Sequence, residues 1–161
     1  MLRSTRPFGR IALPAETILL ALLAGCMGMD SGGGGLPSGL TAQMDAPGAS
    51  LDRPTALAVI NQYRATTGAP PLTDDPGLDA QAQSLAAAYA KTGKAAAPGT
   101  GLVGLRASAG YANFAETFSG WRNSPADAAV LGNASARRAG LAVTYDPNST
   151  YGVYWILVLA G

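Results

Sequence analysis

Residues 115–131, AETFSGWRNSPADAAVL, constrain the fold more than any other stretch, because they predict two short helices separated by a sharp break. Asn113 lies three residues before Glu116. This is the spacing of a capping box, in which each side chain satisfies a free amide in the first turn of a helix. Trp121 stands between the two predicted helices and is the aromatic residue expected to be buried at the corner.

The second helix carries its own start signal. Ser124 is expected to be its N-cap, followed by Pro125 at the first helical position and Asp127 at the third. The capping interpretation makes Ser124 and Asp127 structural residues. The alternative for Asp127 is a carboxylate that lines a cavity together with Glu116 and holds a hard cation there.

Residues 1–25 predict a bacterial lipoprotein signal peptide. Three arginines precede an apolar run that is too short to span a bilayer. The run ends on Leu-Ala-Gly-Cys, which resembles a lipobox, so Cys26 is the predicted lipidation site, carrying acyl chains such as palmitate. This predicts a membrane anchor in the bacterial cell envelope. The periplasmic side of the outer membrane is favoured, because no aspartate follows Cys26. A free thiol behind an apolar leader is the other interpretation.

Residues 26–50 predict the lipidated cysteine and a flexible tether rich in glycine and proline. A phosphate-binding glycine loop is not favoured, since no strand precedes the glycines and no helix opens directly after them. The folded domain is therefore expected to span residues 51–161.

Two amphipathic helices are predicted at the start of the domain. The first begins at Asp52, with Pro54 in its first turn, and ends at Gly68. The second opens at Pro76 and stops before Gly93, with apolar residues repeating at helical spacing between them.

The rest of the domain predicts strands. Residues 140–146 alternate apolar and polar side chains, as in a half-buried strand, and residues 151–160 are apolar almost throughout. The second pattern is typical of a central strand covered on both faces. Residues 94–112 contain many glycines and predict a loop, with a short extended piece at 102–107.

These segments together resemble the CAP superfamily, named for cysteine-rich secretory proteins, antigen 5 and pathogenesis-related 1 proteins (SCP-like domains). The run W-R-N-S-P-A-D-A-A-V-L is similar to the bacterial pattern W-x-x-S-P-x-H-x-x-x-L, with Asp127 in the place of the histidine. Three further matches are Asn61-x-x-Arg64, the spacing of Leu78, Ala82 and Ala86, and Tyr154-Trp155. The resemblance covers about residues 55–161 and implies an α+β fold, an α-β-α sandwich of helices around a small antiparallel sheet.

The family's cavity histidine and glutamate are expected to be missing from this chain. The chain has no histidine, which excludes a Ser-His-Asp relay and an imidazole zinc site. No catalytic residue, metal ligand or cofactor is predicted. The resemblance implies a candidate cleft formed by five residues, namely Tyr111, Glu116, Trp121, Ser124 and Asp127.

The predicted function is a lipid-anchored envelope protein whose degenerate CAP-like domain acts as a binding or interaction module. Its expected partners are the membrane, through Cys26, and a lipid or another envelope protein, with the chain monomeric. Nucleic acid is not expected, since the formal net charge is +1.

Two alternatives remain open. One is a hydrolase or metal-assisted enzyme with an acidic cleft around Glu116 and Asp127, which requires the carboxylates to lie within about 5 Å. The other is a purely structural lipoprotein with a filled cleft. An apolar cavity beside Trp121 would favour the binding module.

Overall fold

The computed structural model describes residues 35–161, of which Leu36–Gly161 form one compact unit. The predicted signal peptide and the lipidation site at Cys26 lie outside the described residues. The helices are α1 Ser38–Thr41, α2 Arg53–Thr66, α3 Pro76–Thr92, α4 Phe114–Asn123 and α5 Pro125–Leu131; the strands are β1 Thr73–Asp74, β2 Leu102–Ala109, β3 Arg138–Tyr145 and β4 Val153–Ala160. Between residues 35 and 161, no helix combines the length and apolar character needed to cross a membrane.

The sheet has the strand order β1-β3-β4-β2, and β4 pairs antiparallel with both of its neighbours. The two-residue β1 adds a parallel edge to β3. Every residue of β4 is buried, as the apolar run predicted. Trp155 belongs to the buried cluster formed with α2, α4 and α5, whereas Ile156 belongs to the cluster formed with α3. The predicted α-β-α sandwich is therefore confirmed.

The first two long helices start where the sequence predicts. The Asp52 carboxylate accepts a hydrogen bond from the amide of Thr55 at 3.0 Å, and Asp75 caps α3 in the same way. Gly93 ends α3 in the left-handed conformation, with φ of 65°. Gly140 lets α3 lie against β3, since a Cβ there would stand 2.1 Å from the carbonyl carbon of Leu78.

The predicted tether is wrong for residues 36–50, because this segment packs on the domain. Leu40 and Met44 are each only 2% exposed and belong to the main buried cluster. Leu40 packs against α2 and α4, and Met44, four residues later, lies between Ala112 and the end of β3, although glycine and proline surround both. The short extended piece predicted at 102–107 is confirmed as β2, which runs two residues further, to Ala109, where a loop was predicted.

Arg64 is fully buried, and its guanidinium donates hydrogen bonds only to backbone carbonyls. Its Nε and Nη2 donate to Pro70 O, at 2.9 and 2.7 Å, and Nη1 donates to Leu131 O at 2.5 Å. Nη2 also approaches the carbonyls of Asn133 and Ala136, at 3.2 Å each. One side chain of α2 therefore joins three segments, namely the loop before β1, the end of α5 and the loop before β3.

Candidate functional site

The corner between α4 and α5 begins with the predicted capping box. The Asn113 side chain accepts a hydrogen bond from the amide of Glu116 at 3.0 Å. The Glu116 carboxylate accepts one from the amide of Ala112 at 3.3 Å, one residue before the cap. Trp121 is 1% exposed, which confirms its predicted burial, and its ring packs edge-on against Phe114. Within the described residues its Nε1 has no hydrogen-bond partner.

The second predicted capping box is wrong. Ser124 occupies the N-cap position of α5, but its side chain makes no capping hydrogen bond. The Asp127 carboxylate instead forms an ion pair with the guanidinium of Arg106 on β2. A guanidinium is a charge-assisted donor and binds a carboxylate more strongly than a neutral amide does. Asp127 still lies in the first turn of α5, where the helix dipole favours its charge.

The close packing of α5 on β2 explains why Arg106 reaches Asp127. Gly104 lies under Val130 of α5, and a Cβ at Gly104 would stand 2.7 Å from the Val130 Cγ1 atom. Arg106 lies two residues further along β2 and therefore on the same face as Gly104. Its guanidinium emerges directly beneath the first turn of α5.

The acidic cleft is not assembled in the described part of the chain. Glu116 lies in the first turn of α4, whereas Asp127 follows the end of that helix. The helix rises about 10 Å between Glu116 and Asn123, so Glu116 lies at one end of this stretch of α4 and Asp127 lies beyond the other. The two carboxylates also have different partners. Residues 35–161 contain no group of three or more acidic or cysteine side chains arranged to hold a metal ion.

Tyr111 positions the loop that leads into α4. Its carbonyl accepts a hydrogen bond from the Trp155 Nε1 atom at 2.9 Å, which fixes the loop to the central strand. Its ring lies over Gly120, where an added Cβ would stand 2.9 Å from the tyrosine hydroxyl. The ring is partly exposed at the surface of the corner.

An apolar cleft of about 390 Å³ lies between α1, α2 and α4. Five apolar side chains line it, namely Leu36, Leu40, Val59, Ala115 and Phe118. Glu116 and Arg122 lie at its rim, and Glu116 is the one member of the predicted candidate cleft that it includes. A neighbouring depression of about 410 Å³ shares Val59, Phe118 and Arg122 and continues along α2 past Tyr63.

Trp121 does not line this cleft, so the cleft is not the cavity beside Trp121 that would have favoured the binding module. It lies beside Phe118, on the exposed side of α4. Sequence reasoning missed it because Leu36 and Leu40, which form one wall, were assigned to a flexible tether. The signal was the apolar pair Leu40 and Met44 at helical spacing within the glycine-rich segment.

A second cavity, of about 430 Å³, lies between the loop at 44–49, Gln83 and the end of β3. No charged side chain lines it.

Among the acidic residues outside the corner, Asp75 is a helix cap, as predicted. A hydrogen bond from Arg138 and the amides of α3 hold the pKa of its carboxyl below the ordinary value. Burial raises the pKa of the neighbouring Asp74, and the Asp79 charge raises it further.

Comparison with known proteins supports this architecture. The sequence profile described as the cysteine-rich secretory protein family (CAP) matches residues 57–159. Among solved structures, an outer surface protein of Borrelia burgdorferi is 14% identical, with a TM-score of 0.55, covering 68% of this chain and 91% of that chain. An extracellular protein of Bacillus anthracis that contains an SCP domain is 15% identical, with a TM-score of 0.55, covering 67% of this chain and 40% of that chain.

A cysteine-rich secretory protein of Staphylococcus aureus is also 15% identical, with a TM-score of 0.51, covering 70% of this chain and 41% of that chain. At these identities the structural likeness shows a shared fold. No curated protein sequence matches the chain.

Proposed function

Because the chain belongs to the cysteine-rich secretory protein (CAP) family, we propose that its domain is a binding module, held in the bacterial cell envelope by a lipid on Cys26. The leader and the Leu-Ala-Gly-Cys sequence support the anchor. Similar folds occur in an outer surface protein and in an extracellular protein, which supports a location outside the cytoplasm.

The chemistry of the corner supports a binding role over an enzymatic one. The family pattern E-N-hydrophobic-A fits residues 112–115, which read ANFA, so Ala112 stands where the glutamate is expected. Asp127 stands in the place of the histidine and is neutralised by Arg106. A general base or a nucleophile activated by one is therefore not found at either position.

The apolar cleft between α1, α2 and α4 is the observation that carries the proposal. Leu36 at its mouth is 62% exposed, although burying apolar surface is favourable by about 25 cal/mol per Å². A ligand that covers this surface would recover that free energy. Arg122 at the rim forms no ion pair within residues 35–161, so it is available to an anionic group. The matching ligand is an acyl chain with a negatively charged head.

A titration of the full-length protein with a fluorescent fatty acid tests this function. Ser119→Phe places a ring in the cleft and should weaken binding at least about tenfold. Ser84→Phe is the matched control, because Ser84 is an exposed residue of α3, on the opposite face of the sheet. It should leave binding unchanged. The absence of saturable binding, or equal binding by both variants, would contradict the proposal.

A further inference from the structure

We propose that residues 36–50 form a releasable strap, a segment that forms one wall of the cleft and, when withdrawn, widens the cleft onto the apolar surface of α2 and α4. The purpose of this release rests on the proposed binding function of the cleft. The release itself depends only on how the strap is attached, so it can be measured without any ligand.

The strap is attached mainly through two side chains. Leu40 and Met44 enter the same buried cluster as Phe114 and Phe118, which come from α4. Leu40 also lines the cleft, next to Phe118. When Leu40 leaves, the cleft gains the apolar surface of α4 that Leu40 now covers, whereas Met44 lies toward the end of β3 and holds the strap to the domain. The strap therefore occupies the space into which a longer apolar ligand would extend.

Few polar contacts oppose this withdrawal. In the described part of the chain, one hydrogen bond joins the strap to the rest of the domain, from the amide of Met44 to Ala112 O at 2.7 Å. The other hydrogen bonds of the strap stay within it, such as Leu40 N to Pro37 O and Ala49 N to Ala46 O. No ion pair of the described residues involves the strap. Ala42 packs on the same cluster and Gly39 lies against the Asp52 side chain. A segment held by these few side chains and one hydrogen bond opens at a lower free energy than a strand inside a sheet.

The strap also has a hinge and lies outside the family's domain. Residues 45–50 are exposed and include Gly48, whose φ of 80° favours glycine. An added Cβ at Gly48 would meet no atom within 4 Å, so this loop is not packed against the domain at that point. The family match begins at residue 57, and it contains the three long strands and helices α3 to α5. The sandwich therefore does not depend on the strap for any of its strands.

The position of the strap in the chain suggests what withdraws it. Leu36 lies ten residues after Cys26, the proposed lipidation site. Tension between an anchored Cys26 and the domain reaches the strap before any other part of the domain, because the strap comes first along the chain. Pulling from the anchor would therefore release Leu40 and Met44 and open the cleft.

Hydrogen exchange of the full-length protein, without ligand, tests the release directly. The amide of Met44, which is hydrogen-bonded to Ala112 O, should exchange at least about 100-fold faster than the amides of β4, because it is released without global unfolding. Exchange of this amide at the same rate as those of β4 would overturn the proposal. Because the wild type is used, failure to fold cannot obscure the result.

A double variant supplies a second readout. Leu40→Ala with Met44→Ala removes both anchoring side chains, and the full-length variant should bind an apolar fluorescent dye several-fold more strongly while keeping its far-UV circular dichroism. Val103→Ala is the control, because Val103 is an exposed apolar residue outside both the strap and the cleft. It should not increase dye binding. Unchanged dye binding in the folded double variant, or loss of its folded state, would overturn the strap. Normal strap release without fatty-acid binding would refute the proposed function alone.

Discussion

Replacing Arg64 by methionine should strongly destabilise the folded domain, and no local sequence pattern predicts this effect. Methionine keeps much of the side-chain volume but removes every donor of the guanidinium. The carbonyl of Leu131 accepts from Arg64 in fully buried surroundings and would lose this partner, whereas the carbonyl of Ala136 keeps a hydrogen bond from Arg137 Nη1 at 2.9 Å. The carbonyl of Pro70 loses two donors at once.

The magnitude follows from the number of buried carbonyls. A buried polar group without a partner costs about 1–3 kcal/mol, so the carbonyls of Leu131 and Pro70 together cost about 2–6 kcal/mol. Removing the buried charge recovers part of this, because burial of Arg64 has a desolvation cost and lowers its pKa, with Arg137 adding repulsion. We expect a net loss of about 3–4 kcal/mol in the free energy of unfolding. For a domain of this size the melting temperature should fall by about 10–20 °C.

Chemical and thermal unfolding followed by circular dichroism measures this loss. Arg64→Lys keeps the charge and three donors, so it should lose about half as much. Arg122→Met is the control, since Arg122 is an exposed arginine of α4, and it should change the stability by less than about 0.5 kcal/mol. If Arg64→Met unfolds within about 1 kcal/mol of the wild type, the carbonyl network does not hold the three segments together.

Four further outcomes are expected. Cys26→Ser should abolish acylation and move the protein out of the detergent phase in a partitioning assay, and full retention in that phase would contradict the anchor. Trp155→Ala, which empties a fully buried position in β4, should cost about 3–5 kcal/mol in denaturant unfolding, and an unchanged midpoint would place the strand outside the core. Asp127→Asn should cost up to about 1 kcal/mol of stability by removing the partly exposed ion pair with Arg106. Calcium should not alter the melting temperature of the wild type or of the variant. A calcium-dependent rise in the wild type alone would restore the metal hypothesis. Folding lowers the pKa of the Asp75 carboxyl, so this carboxyl stabilises the folded state above about pH 4, and the stabilisation is lost as the pH falls further. The stability of Asp75→Asn should therefore be less sensitive to acid, and an identical midpoint of acid unfolding would contradict this.

The elements that the sequence predicts well are those with local signals. The caps at Asp52, Asp75 and Asn113 each accept a hydrogen bond from an amide two or three residues away, so their pattern is visible in a short stretch. The run ending at Ala160 is apolar almost throughout, and such a run is typical of a central strand that is covered on both faces. The order of these elements, together with the family resemblance, then predicts the sandwich.

The features that sequence reasoning missed depend on distant partners. Arg106 and Asp127 are 21 residues apart, and Arg64 lies 67 residues from Leu131. Neither partner is visible in a local pattern, so Asp127 was assigned to the nearest amides instead of to a guanidinium on another element. The strap was missed for the opposite reason, because its local composition predicts flexibility while two side chains decide its packing.

A titration of the isotopically labelled full-length protein, followed by amide NMR shifts, tests the central claim most directly. A fatty acid is added to one sample and calcium to another. We expect the fatty acid to shift the amides that border the cleft, on α1, α2 and α4, and calcium to leave the amides of Glu116 and Asp127 in place. Shifts at these two residues with calcium, and none along the cleft with the fatty acid, would contradict the binding module and favour the acidic cleft.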